Sequence, residues 1–103
     1  MTYDERDRFT SMTELVEREI VKHHDAIVVV ELRHVPCDGG PFTSVELKDA
    51  SGRILADHDR TGFPTLEAYR LLQRHFEHVL MEDQGIRVHF TVSGPPPTPT
   101  PGR

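Results

Sequence analysis

The chain has 103 residues, 36% of them hydrophobic and 28% charged, which predicts one small domain with one core and excludes two independent cores. Twelve Lys plus Arg against seventeen Asp plus Glu give a formal charge of -5 with the signs interspersed, so no basic stripe exists to neutralise duplex phosphates. The start, MTYDERDRFTSM, lacks the apolar stretch of a signal sequence, and the longest apolar run, Ala26 to Val30, is too short to cross a bilayer.

Residues 1–10 are charged and poor in apolar side chains, and are expected to form a flexible arm. Ser11 and Glu14 have capping-box spacing, which predicts a helix from Met12. Met12, Leu15, Val16, Ile20 and His23 share one face of that helix, with Glu14, Glu17, Arg18 and Lys22 elsewhere. Glu19 is discordant. It falls between Leu15 and Ile20 on the apolar face, where an unpaired carboxylate is rare, so it is expected at the rim, turned to water or to a neighbouring partner.

Ala26 to Val35 is rich in β-branched residues and predicts a strand, apolar on both parities in its first half and therefore central in the sheet. The turn Pro36 to Pro41 contains Gly39 and Gly40 and reverses the chain into a second strand, Thr43 to Lys48, with Val45 and Leu47 inward. Asp49 to Gly52 is a second turn. It leads to a third strand, Arg53 to His58, with Ile54, Ala56 and His58 on one face.

Pro64 and Thr65 open a second helix, with Thr65 as the expected cap and Glu67 in the positive first turn. Tyr69, Leu72, Phe76, Val79 and Leu80 form an apolar seam that predicts helix up to a stop at Gly85. Ile86, Val88, Phe90 and Val92 then alternate with polar residues in a last, half-buried strand. Residues 93–103 are Pro-rich and expected to be a disordered tail, with Pro96 and Pro99 in PxxP spacing.

The predicted fold is thus α+β, a two-layer sandwich of order α-β-β-β-α-β over residues 11–92. The helix after the third strand supplies a crossover, giving a mixed four-stranded sheet of order 3-2-1-4 with both helices on one face. Glu31, Arg33, Glu46, Lys48, Asp57, Arg87 and His89 are expected on the opposite, open face.

Seven histidines make metal binding or proton transfer the first chemistry to test. His75, His78 and Glu82 would lie at i, i+3 and i+7 on the second helix, on a solvated stripe that also carries Leu71. The spacing lacks the HExxH arrangement. His34, Cys37, His58 and Asp59 would meet at one sheet edge if the first and third strands run the same way, offering zinc ligands or a thiol with a histidine base. His23 and His24 suit a helix C-terminus. No phosphate loop is present, since no lysine follows Gly39 and Gly40.

Cys37 is the only cysteine, which excludes an internal disulfide and makes a reducing cytoplasm the expected compartment; ten Arg against two Lys fits the codon usage of a GC-rich bacterium. The leading expectation is a non-catalytic accessory module, without cofactor, that binds a protein partner or self-associates because some eighty residues give a thin core. The alternatives are a small metal-dependent or acid-base enzyme on His34, His58 and Cys37, and a single-stranded nucleic-acid binder on the open sheet face. Neither a membrane nor a duplex is an expected partner.

Overall fold

The computed structural model describes residues 11–38, 40–60 and 62–96; the expected arm lies outside this range, as does the tail beyond Pro96. The elements are α1 (Met12–His23), β1 (Val29–Cys37), β2 (Gly40–Lys48), β3 (Ile54–Arg60), α2 (Thr65–His75), β4 (His78–Asp83) and β5 (Arg87–Ser93). They make an α+β fold of two helices on one face of a five-stranded antiparallel sheet, ordered β3-β2-β1-β5-β4. No helix among the described residues is long and apolar enough to cross a membrane.

The N-terminal half follows the sequence closely. Ser11 Oγ accepts the Glu14 N–H while Glu14 Oε1 accepts the Ser11 N–H, so the capping box closes as its spacing requires. Met12, Val16 and Ile20 are buried. β1 is central, with Val30 and Leu32 buried between Leu47 and Val45 of β2 and Phe90 and Val88 of β5. The first hairpin is tighter than expected: pairing runs to Cys37 and Gly40, so both prolines, Pro36 and Pro41, lie within strands.

The turn into β3 is built on Asp49, whose carboxylate accepts the Ser51 hydroxyl and N–H and the Arg53 N–H. Those bonds hold the Asp49 carboxyl below its usual pKa, the Ser51 hydroxyl contributing most. Register then shifts between Leu47 and Lys48: Lys48 pairs with Ile54 and Leu47 with Ala56, leaving Leu55 as the extra residue. The bulge corrects the expected facing. Ile54 is exposed and Leu55 packs on the core instead.

The C-terminal half departs from the expected mixed four-stranded sheet. α2 ends at His75 rather than near Gly85, because Phe76 leaves helical geometry at φ -136° and ψ 144°. Residues 78–83 form a strand, and the turn with Gly85 at φ +87° returns the chain antiparallel into β5. Packing explains the choice. Val88, Phe90 and Val92 are all buried, and an unpartnered β5 would leave one side of that apolar strand without backbone hydrogen bonds; β4 supplies them. The last strand does lie beside β1, as expected, but antiparallel to it: α2 crosses the sheet from β3 to β4 at the far edge, and β5 returns between β4 and β1.

The core joins Val16 and Ile20 of α1, Ala68, Leu71 and Leu72 of α2, and the inward strand residues, closed by Phe63 and Phe76. Leu71, expected on a solvated stripe, is buried beside Leu72. Tyr69 stacks on Phe90 with ring centroids 6.3 Å apart.

Candidate functional site

Five of the seven histidines fall in three separate settings, and the other two, His78 and His89, lie on β4 and β5. His34 points from β1 towards the start of α2, its Nδ1 3.2 Å from Thr43 Oγ1 and its Nε2 3.0 Å from Thr65 Oγ1. Thr43, buried, also accepts the Phe63 N–H at 3.1 Å. The imidazole, bonded through both ring nitrogens, thus ties two strands and a helix start together. Thr65 is not the cap: Pro64 holds that position without a side-chain bond, and the Thr65 hydroxyl serves His34.

His58 lies elsewhere. β1 and β3 do run in the same direction, but β2 lies between them, and His58 stands opposite Val45 whereas His34 stands opposite Thr43. Two strand spacings put the two backbones about 10 Å apart. His58 instead faces α1, with Nε2 3.9 Å from Glu19 Oε2, and His23 Nε2 is 3.5 Å from the other oxygen of the same carboxylate. The discordant Glu19 is therefore a rim carboxylate beside two imidazoles, and His58 Nε2 is buried without a hydrogen-bond partner among the described residues. Cys37 ends β1 at the hairpin and Asp59 is exposed on β3, so the structure does not gather His34, His58 and Asp59.

The third setting joins the helix C-termini. His75 Nε2 donates to Glu17 Oε2 at 2.6 Å, and Arg74 stands 3.7 Å from the same oxygen. His24 Nε2 donates to the His75 carbonyl at 2.5 Å while its ring stacks on Phe76, centroids 4.5 Å apart. At the other end of the contact Thr13 donates to Glu67. These bonds fasten α1 to α2. They also dissolve the expected stripe, since His75 is fixed between helices while His78 and Glu82 sit on β4. Among the described residues, no three His, Cys, Asp or Glu side chains are grouped to hold a metal ion.

On the open face a row of charge crosses all five strands: Asp57, Glu46, Glu31, His89 and Glu82 are successive cross-strand partners. Lys48 answers Glu31 at 2.9 Å and Glu46 at 3.5 Å, and Arg87 stands 3.9 Å from Glu31. The Lys48 hydrogen bond holds the Glu31 carboxyl below its usual pKa against the opposing effect of burial, and the same bond raises the Lys48 ammonium. This face is a closed network of charges. Its aromatic candidates are poor stacking platforms, since Phe90 is buried in the opposite layer and Phe42 is half-buried.

The feature that sequence reasoning missed is the β4 edge. Leu80 is 72% exposed and Met81 45%, with Ile86 exposed in the adjoining turn. The Gln84 N–H donates to the Arg87 carbonyl, so in this register the backbone of His78, Leu80 and Glu82 serves β5. The N–H and C=O groups of Val79 and Met81 therefore point off the sheet. The legible signal was the short apolar run Val79 to Met81 between His78 and Glu82, which fits a strand as well as a helix. No protein-family model, curated protein or solved structure matches the chain.

Proposed function

We propose that this chain is a non-catalytic protein-docking module whose working part is the β4 edge. The supporting observation is the conjunction on one strand of outward backbone donors and acceptors with exposed Leu80 and Met81. Free main-chain groups supply affinity for an added strand, and alternate side chains supply selectivity. The histidines support the same reading, because His24, His34 and His75 are each hydrogen-bonded from helix to helix or from strand to helix. A thiol or zinc chemistry on His34, His58 and Cys37 draws no support from strands separated by β2. Binding of single strands on the open face draws none from a row rich in carboxylates.

The test is selection of peptides from a random displayed library on the full chain, followed by amide exchange of the chain with the recovered peptides. Slowed exchange at Val79 and Met81 supports the reading. Recovered peptides that leave both amides unprotected, or recovery of none, overturns it.

A further inference from the structure

We propose that two copies of this chain pair antiparallel through β4, about a two-fold axis beside Leu80, to form one continuous ten-stranded sheet. The inference rests on the docking reading above and names its occupant. A two-fold axis perpendicular to the sheet keeps the helix layers of both copies on the same side, so residues that face each other across the new junction must share a face. That condition admits few registers, and the sequence of β4 separates them.

With Leu80 at the centre, Leu80 meets Leu80, Val79 meets Met81 twice and His78 meets Glu82 twice. Apolar faces apolar, and imidazole faces carboxylate. Moving the centre to Met81 would place Leu80 against Glu82 and Val79 against Asp83; moving it to Val79 would place His78 against Leu80 and Glu77 against Met81. Each alternative sets apolar side chains against polar ones. The residues from His78 to Glu82 are thus self-complementary in one antiparallel register.

The backbone accommodates the register that the side chains select. Val79 and Met81 carry the groups that β5 leaves free, and in the Leu80-centred pairing each exchanges N–H and C=O with the other's counterpart in the second copy, which makes four main-chain hydrogen bonds. Leu80 then occupies a pair without hydrogen bonds, the position where opposing side chains approach most closely. Glu82 already stands beside His89 of β5, and pairing sets it between that ring and His78 of the second copy. At each end Glu77 would approach Asp83, which confines the ladder to the five residues between. So short a junction buries less than the roughly 1,200 Å² of standard interfaces, and the dimer is expected to be reversible.

The experiment is sedimentation equilibrium of the full chain from low to high micromolar concentration. Wild type is expected to move from the mass of one chain towards that of two. Met81→Pro removes an N–H that the β4–β5 ladder does not use, and Leu80→Lys places two ammonium groups at the centre; both are expected to remain monomeric with an unchanged far-UV spectrum. His78→Glu is expected to weaken association about tenfold, and His78→Glu with Glu82→His to recover it. A wild type that stays monomeric throughout, or a dimer that both Leu80→Lys and His78→Glu leave intact, overturns the proposal. If Met81→Pro unfolds the chain, Leu80→Lys decides. Monomeric wild type whose Val79 and Met81 amides are nonetheless protected by selected peptides removes self-pairing alone and leaves the docking reading standing.

Discussion

The two edges of the sheet are built in opposite ways. β3 carries a bulge at Leu55, presents Asp57 and Asp59, and has its inward His58 met by Glu19 of α1. β4 pairs with β5 without a register shift and exposes Leu80 and Met81. Bulges, charge and covering helices are the usual means of preventing an edge from accepting another strand. One edge of this sheet has them and the other has an apolar centre, and this asymmetry is why the proposed association is assigned to the β4 side.

Four changes would break or sharpen this contrast. The largest acts beneath β4: Phe90→Ala, at a fully buried ring stacked on Tyr69, is expected to cost about 3–5 kcal/mol in urea unfolding and to speed amide exchange in β4 and β5 together. Thr43→Val acts nearer the β3 side. It strands the buried Phe63 N–H and frees one side of His34, at an expected cost of about 1–3 kcal/mol by the same measurement, with the β4 edge still competent to pair. Gly85→Ala forces a side chain onto a φ of +87° in the β4–β5 turn. Its expected cost is about 1–2 kcal/mol, read as faster exchange in β4 with β3 unchanged; equal acceleration in both strands would show that the edges do not act separately.

The smallest effect concerns the open face. Because the folded Glu31 carboxyl titrates below its unfolded value, the Lys48 pair contributes fully above the unfolded pKa and is lost as pH falls through the folded one. Glu31→Gln is therefore expected to cost under about 1 kcal/mol at neutral pH, with its stability curve meeting that of wild type in acid. A constant gap down to low pH would reject the pairing as the cause. Lys48, whose ammonium is raised by the same bond, keeps its contribution through neutrality and loses it only at alkaline pH.

What the sequence discloses depends on how local the cause is. Ser11 and Glu14 lie three residues apart and settle the start of α1 without help; the doubly apolar Val29 and Val30 mark β1 as central in the same way. Residues 76–83 are ambiguous, because Phe76, Val79 and Leu80 satisfy helical spacing while the short apolar run Val79 to Met81 fits a strand, and Gly85 serves equally as a helix stop or a hairpin turn. What decides is β5, whose buried residues need a neighbour on each side. Glu19 stands out in the sequence as misplaced, yet its partner His58 depends on how α1 packs over β3, which no local pattern encodes. For the same reason the three His and Glu residues expected on one helical stripe are divided between two elements.

The place of β5 beside β1 also sets an order of events. β1, β2 and β3 are joined by short turns and form pairs between near neighbours in the chain, whereas the β1–β5 ladder joins Val29 to Thr91. Closing so long a loop is slow compared with forming hairpins. During synthesis from the N-terminus, the middle of the finished sheet is consequently an open margin, with Val30 and Leu32 uncovered on one flank, until the last hairpin emerges. The strand that ends up most enclosed is the one that waits longest for its second neighbour.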